Sequence, residues 1–156
     1  MSKVERTLVI VKPDAVTRGL MGEVLNRFER KGLKIVAAKF THLTEELLNE
    51  HYAHIKDKPF FPGVLKFMTS APSLAFVLEG KNVVQAARQM AGSTDASEAL
   101  PGTIRGDFAL SIQQNVVHIS EDLENAEKEI KNFFKESDFF DYHRADLTAL
   151  YAADEL

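Results

Sequence analysis

The chain of 156 residues contains no cysteine. Disulfides, thiolate metal sites and a cysteine nucleophile are therefore excluded, and the composition agrees with a reducing compartment. No apolar run approaches the roughly 20 residues that are needed to span a bilayer. The N-terminal segment M-S-K-V-E-R-T carries charges and leads into an apolar run that is too short for a signal peptide. We predict a cytoplasmic protein without membrane attachment.

The chain also lacks an excess of basic residues, since 19 Lys and Arg stand against 23 Asp and Glu, for a net charge of -4. Such a surface repels polyanions, so we expect neither nucleic acid nor an anionic membrane as a partner. Any phosphate must instead be bound by a few cations gathered in a cleft. The length and the 45% hydrophobic content indicate a single globular domain over residues 1–156.

The usual enzyme motifs are missing as well. Neither G-x-x-x-x-G-K-[ST] nor G-x-G-x-x-G occurs, so a P-loop and a dinucleotide-binding turn are excluded. The chain likewise has no H-E-x-x-H zinc motif, no G-x-S-x-G nucleophile elbow and no calcium loop. Any catalytic site must therefore be assembled from residues that are distant in sequence.

Strand and helix patterns alternate along the chain. Strand-like runs cover residues 7–12, 33–40, 73–79 and 108–117, with N-V-V-H-I-S (115–120) the most strand-like part of the last region. Helical periods follow residue 20, Thr44, Asn82 and Asp122, and a short one covers 64–68; Gly32 ends the first helix. This order predicts an α+β fold with an antiparallel or mixed sheet and helices on one face, most simply a ferredoxin-like split βαβ arrangement.

Three basic residues stand at the ends of predicted elements. Lys12 leaves the first strand, Arg88 lies in the last turn of a helix, and Arg105 lies between two glycines of segment 91–107, which has no period. Each alone is typical of a solvated surface charge. Together they predict a clamp on a polyphosphate, with the glycines around Arg105 allowing the backbone to approach the ligand.

His118 has two interpretations that the pattern leaves open. It is either a half-buried structural histidine or a nucleophile, and a nucleophile needs an acceptor to hold its other ring nitrogen. The period of the last helix permits Glu129 as that acceptor, but it permits Glu127 too. His51 and His54 lie three residues apart without a third ligand nearby, so we expect no metal site there.

Several motifs occur together in one order: E-R-T-L-V-I-V-K-P-D-A-V-T-R-G-L, R-F-E-R-K-G, H-Y, K-P-F-F-P-G, P-G-T-I-R-G-D-F, N-V-V-H-I-S and A-E-K-E-I. On these motifs the chain resembles nucleoside diphosphate kinases over nearly its whole length. The resemblance implies a ferredoxin-like βαββαβ core with a four-stranded antiparallel sheet covered by helices. It also implies transfer of the terminal phosphate of a nucleoside triphosphate, mainly ATP, to nucleoside diphosphates of broad base type.

The same resemblance implies a ping-pong mechanism through a phosphohistidine, with Mg²⁺ held mainly by nucleotide phosphates and water. It assigns His118 as the nucleophile, Glu129 as its acceptor, and Phe60 as the ring that stacks on the base. The expected phosphate and sugar contacts are Lys12, Tyr52, Arg88, Thr94, Arg105 and Asn115, with Lys12 and Tyr52 also counted as catalytic. Ser120 matches a residue hydrogen-bonded near the site. Homohexamers or homotetramers are implied.

Three positions depart from the family pattern. Ile119 stands where glycine or alanine is common, Glu121 where aspartate is usual, and Asp95-Ala96 where N-P is common. A large side chain beside the nucleophile leaves open a nucleotide-responsive binding module that lacks catalysis. A nucleic-acid binder on the same fold is disfavoured by the acidic balance.

Overall fold

The computed structural model describes residues 3–156 and contains one four-stranded sheet. Strands β1 (Val4–Val11), β2 (Lys34–Thr41), β3 (Ser73–Lys81) and β4 (Val117–Ile119) are ordered β2-β3-β1-β4. Every neighbouring pair is antiparallel. The predicted α+β, ferredoxin-like fold is confirmed.

The α-helices are α1 (Pro13–Thr17), α2 (Met21–Lys31), α3 (Glu45–His51), α4 (Phe61–Met68), α5 (Val83–Ala91), α6 (Ile104–Phe108), α7 (Leu123–Phe133) and α8 (Leu147–Leu150). Within residues 3–156, none of the helices has the length and apolar character needed to cross a membrane.

Both faces of the sheet are buried, so the prediction of helices on one face is wrong. Val9 and Val11 lie in a core with residues of α2 and α5, whereas Leu8 and Ile10 lie in a second core with residues of α3, α4 and α7. The sequence T-L-V-I-V-K explains why both faces are covered, because a continuous apolar run without alternation is typical of a strand that is buried on both faces.

Local capping explains where several helices begin or end. Gly32 ends α2 in the left-handed conformation at φ 100°. The Thr44 hydroxyl accepts from Leu47 N–H, as predicted for an N-cap. The Asp122 carboxylate accepts from Asn125 N–H and caps the helix that was predicted to begin near that residue. Asn82 precedes α5 as predicted, but it has φ 51° and makes no side-chain cap bond, so only its position was predicted correctly.

The region after α5 differs most from the prediction. Residues 108–117 are largely not extended, since α6 covers Ile104–Phe108 and the strand is only Val117–Ile119. Segment 91–107 is ordered by a 3-10 turn at Ala96–Glu98 and by Thr103, whose hydroxyl accepts from Gly106 N–H. These pieces are too short to produce a recognisable period.

The C-terminal segment, which had no predicted structure, packs back against the rest of the chain. Phe140 N–H donates to Val36 O at 2.9 Å and Tyr142 Oη–H to Ile35 O at 2.7 Å. Arg144 donates to Leu33 O at 3.0 Å. These bonds attach the segment to β2 and to the end of α2.

Candidate active site

One cleft of about 560 Å³ collects residues from five separate stretches of the chain: 12, 52–68, 88–94, 105 and 112–119. It is bounded by the α3–α4 connection on one side and by the segment between α5 and β4 on the other. Its lining includes every cleft residue that the sequence selected: Lys12, Tyr52, Phe60, Arg88, Thr94, Arg105, Asn115 and His118. Glu129 lies behind His118, outside the cleft wall.

His118 and Glu129 form the shortest polar contact of the site. β4 pairs His118 with Ile10 of β1, and α7, begun by the Asp122 cap, carries Glu129 to the histidine. His118 Nε2 lies 2.6 Å from Glu129 Oε1, which leaves Nδ1 without this partner. The structure thereby selects Glu129 over Glu127, whose side chain is exposed.

The charge state of Glu129 follows from two opposing effects. Burial raises the pKa of Glu129, but the hydrogen bond and the charge of His118 outweigh it, so the pKa lies below its usual value. The carboxylate therefore stays ionised at neutral pH. An ionised acceptor at Nε2 fixes the proton on that nitrogen and the lone pair on Nδ1.

Lys12, Arg88 and Arg105 lie close together, with little acidic charge nearby to balance them. Burial, followed by the charge of Arg105, lowers the pKa of Lys12 to about 8. Burial and the charge of Arg88 lower the pKa of Arg105 to about 10. Within residues 3–156, Asp14 is the one group that raises the pKa of Lys12. Such a cluster of partly desolvated cations is stabilised by a bound polyanion.

Hydrogen bonds hold this cluster in place. Lys12 Nζ donates to Asn115 Oδ1 at 2.8 Å, and the Asn115 amide donates to Thr94 O and Ile112 O at 3.0 Å each. The Arg105 guanidinium donates to Gly92 O and Val117 O at 2.8 Å. Asn115 and Arg105 therefore line the cleft and also connect the segments that form it through hydrogen bonds.

Val116 has a backbone conformation that β-branched residues rarely adopt, with φ 77°. Asp14 holds it by accepting from Val116 N–H at 3.1 Å, and Lys12 N–H donates to Val116 O at 2.9 Å. The strained residue joins Asn115 to the strand of His118, in agreement with the tendency of strain to cluster at functional sites. Sequence reasoning missed Asp14, although K-P-D directly follows the first strand.

Ile119 does not occupy the space beside His118. Successive side chains of a strand point to opposite faces, so Ile119 packs into the core that contains Val9, its partner in the sheet register. With 5% of its surface exposed, it forms only a small part of the cleft wall. The nearby Ser120 hydroxyl accepts from Leu8 N–H at 3.3 Å, and Glu121 points away on the surface.

The other departure from the family pattern has a local role. Asp95 accepts from the N–H and the hydroxyl of Ser97 at 3.0 and 2.7 Å, which caps the 3-10 turn. Ala96, the next residue, is buried. The D-A pair thus stabilises its own loop.

Two aromatic residues line the cleft in different ways. Phe60 is 58% exposed at the N-cap of α4, so it is not a core residue and offers a flat apolar surface. Tyr52 is half-buried, and burial together with Glu129 raises the pKa of its phenol to about 12. Tyr52 therefore keeps its proton and acts as a hydrogen-bond donor.

His51, Glu129 and His118 have ligand atoms within 4.8 Å of one another. Sequence reasoning paired His51 with His54, but His54 is exposed and the structure brings His51 to His118 and Glu129 instead. The contact of 2.6 Å between His118 and Glu129 is a hydrogen bond, shorter than the roughly 3.3 Å between two ligands of a tetrahedral zinc ion. The geometry therefore favours hydrogen bonding over metal ligation.

The glycines near Arg105 serve the loop itself. Gly102 has φ 92°, and a Cβ on Gly106 would lie 1.9 Å from Leu100 O. We predicted that these glycines allow a ligand to approach the backbone, but the structure gives a different reason for them: they allow the loop to pack tightly against itself. The tight packing lets Thr103 cap α6, which carries Arg105 to the cleft.

Gly106→Ala is expected to lower the free energy of unfolding by about 2–4 kcal/mol, because a backbone carbonyl must move to accommodate the methyl group. Gly22→Ala in α2 is the matched control, since nothing lies within 4 Å of its Cβ position. That variant is expected to gain up to about 1 kcal/mol. Urea unfolding of both measures the difference, and equal midpoints would contradict the packing argument.

The family profile described as "Nucleoside diphosphate kinase" matches residues 5–139. The chain belongs to the nucleoside diphosphate kinase family. It is 48% identical over 151 residues to a nucleoside diphosphate kinase of Parabacteroides distasonis, which covers 97% of this chain and 99% of the relative. It is 51% identical over 148 residues to a nucleoside diphosphate kinase of Pyrococcus horikoshii, covering 93% and 94%.

A solved structure agrees with these relatives. The halophilic nucleoside diphosphate kinase from Halobacterium salinarum, in complex with CDP, superimposes with a TM-score of 0.92 at 46% identity, covering 96% of this chain and 99% of that one. The predicted family and enzyme class, a nucleoside diphosphate kinase, are confirmed.

Proposed function

We propose that the enzyme moves the terminal phosphate of a nucleoside triphosphate to a nucleoside diphosphate by a ping-pong mechanism, with Nδ1 of His118 as the carrier. The observation that supports this most strongly is the contact of 2.6 Å between His118 Nε2 and Glu129 Oε1. Because Nε2 is held by Glu129, Nδ1 keeps a free lone pair that can attack a phosphate bound in the cleft. The Ile119 side chain leaves room beside it.

The two half-reactions then balance. The Nδ1 lone pair attacks the γ-phosphorus, the bond to the β–γ bridging oxygen breaks, and the diphosphate leaves. The phosphorylated ring carries positive charge, which the Glu129 carboxylate stabilises through the Nε2 proton. In the second half, a terminal oxygen of the acceptor diphosphate attacks the same phosphorus, and His118 returns to its neutral form.

Lys12, Arg88 and Arg105 are proposed to bind the phosphates and to stabilise charge on the equatorial oxygens. Tyr52, Thr94 and Asn115 are proposed to contribute hydrogen bonds to phosphate and sugar. The exposed Phe60 ring stacks on the base, and its cleft neighbours are largely apolar: Ile55, Val64, Phe67 and Ile112. Such a wall reads the base as a flat surface, which supports broad specificity. The CDP bound by the Halobacterium relative is consistent with this proposal.

Mg²⁺ is proposed to enter with the nucleotide. Among the described residues, the cleft lining contains Lys, Arg, Thr, Gln and Asn side chains but neither Asp nor Glu. Mg²⁺ prefers oxygen ligands and keeps several waters, so the phosphates themselves supply its ligands here. Bound in this way, the ion would neutralise phosphate charge during transfer.

Incubation with terminally radiolabelled ATP, followed by removal of free nucleotide, tests the mechanism. We expect label on the protein that survives base, is lost in dilute acid, and moves to added ADP, GDP, CDP or UDP. His118→Ala is expected to remain unlabelled, whereas His143→Ala, an exposed histidine, is expected to label normally. An unlabelled native protein that still binds ATP would instead support the binding module.

Nucleotide binding is expected to be coupled to proton uptake above pH 8. The Lys12 pKa of about 8 means that much of the amine is neutral there, and a bound phosphate raises that pKa again. Calorimetry of ADP binding at pH 9, in buffers of different ionisation enthalpy, is expected to report an uptake approaching about one proton. Uptake that persists in Lys12→Met would contradict the assignment to Lys12.

We further infer a homo-oligomer, a hexamer or a tetramer, and one domain over residues 1–156. Exposed apolar side chains at Phe40 (57%), Leu100 (72%) and Leu110 (100%) favour burial against other copies. The bonds from Tyr142 and Arg144 to the β2 region favour a single domain. Light scattering measures the assembly. The cytoplasmic location stays a prediction.

A further inference from the structure

His51 is a buried side chain for which the mechanism above has no use. It ends α3, and its side chain is 1% exposed. Among the described residues, neither of its ring nitrogens has a hydrogen-bond partner. A buried imidazole without partners is unusual enough to require an explanation.

The surroundings of His51 are those of the catalytic pair. Its ring centroid lies 4.6 Å from that of His118, edge to face, and 5.3 Å from that of Phe133. Its Nδ1 lies 3.5 Å from Glu129 Oε1, the same oxygen that contacts His118 Nε2.

His51 is neutral under working conditions. Burial, then the charge of His118, lowers the pKa of His51 to about 3. The other groups that act on it are Glu129, which raises the pKa, and His54 and Lys12, which lower it further. A neutral imidazole carries one N–H, and Nδ1 is the nitrogen that has an acceptor within reach.

We propose that His51 is a positioning residue that donates from Nδ1–H to the Glu129 carboxylate and thereby keeps that carboxylate aimed at His118 Nε2. The separation of 3.5 Å is long for a hydrogen bond, but a polar N–H is attracted to an ionised carboxylate at this distance in the free enzyme as well. His51 thus fixes, through Glu129, the tautomer in which Nδ1 of His118 is the nucleophile. This inference rests on the proposed function for its catalytic consequence, but not for its effect on the tautomer.

Two variants separate hydrogen bonding from packing. His51→Leu fills the space without a donor, and His51→Asn places an amide N–H near the position of Nδ1. The matched control is His54→Leu, which changes an exposed histidine three residues further along the chain. Thermal unfolding verifies that each variant is folded.

The first readout is ¹⁵N NMR of the histidine rings, which reports the His118 tautomer without any substrate. We expect the Nε2–H form in the native protein and in His51→Asn, and a mixture in His51→Leu. The second readout is the rate of phosphorylation by ATP, expected to fall about tenfold or more in His51→Leu, with recovery of most of that loss in His51→Asn. KM for nucleotide is expected to change by less than about twofold, because His51 does not line the cleft.

An unchanged His118 tautomer in His51→Leu would overturn the inference, whatever happens to the rate. Equal impairment of His51→Leu and His51→Asn would overturn it as well, because packing alone would then explain the loss. Absence of label in the native protein is a different result, which overturns the proposed function and leaves the NMR test of His51 intact.

Discussion

Replacing His118 with alanine is expected to lower kcat by about 10⁴-fold or more, because the only proposed route passes through phosphate bound to that ring. Nucleotide binding is expected to change little, since the cationic side chains and Phe60 remain in place. Coupled-enzyme assays of ADP formation from ATP and a second diphosphate measure the first quantity. Calorimetry with ADP measures the second.

The histidines outside the site provide controls for this result. His42, His54 and His143 are exposed, and their alanine variants are expected to retain native rates. Retention of substantial activity by His118→Ala would contradict the phosphohistidine and would favour direct transfer between two bound nucleotides. Loss of ADP binding together with activity would indicate damage to the cleft rather than loss of a nucleophile.

Lys12→Met is expected to lower kcat/KM by about 10²–10³-fold, the usual effect of removing one preorganised charge donor from a transition state. The same variant is not expected to be less stable than the native protein at pH 7. Burial holds the Lys12 pKa at about 8, below its ordinary value of 10.5, so the charged amine is less stable in the folded state than in the unfolded one. Methionine removes that cost while filling similar volume.

The lowered pKa of Lys12 also makes the stability of the protein depend on pH, which allows a second measurement. A lysine with a lowered folded pKa destabilises the fold at pH values below 8, and the cost declines as pH rises from about 8 toward 10.5. In urea unfolding, the difference in free energy of unfolding between Lys12→Met and the native protein is therefore expected to decrease over this pH interval. Lys66→Met, which removes an exposed lysine on α4, is the control for both activity and stability. A gap that widens with pH would contradict the assignment.

The secondary structure was predicted correctly where the local sequence pattern was strong, and it was missed where the element was short. The N-cap at Thr44, the helix start near Asp122 and the helix end at Gly32 were predicted, because each depends on one side chain or on its absence. The strand within N-V-V-H-I-S was predicted, but the five residues of α6 were not, since so short a helix does not repeat a period. Helices on both sheet faces were missed although the apolar run of β1 implied them.

The sequence by itself selected the candidate site residues, because the order and spacing of several motifs resemble one family, and it excluded thiol chemistry through the absence of cysteine. Only the tertiary structure decided which residues meet. Glu129 rather than Glu127 reaches His118, Ile119 packs into the core, and His51 rather than His54 lies beside His118 and Glu129. The reason is that strand alternation and helix packing, set by pairings across the whole chain, fix the direction of each side chain. Spacing along one segment does not contain that information.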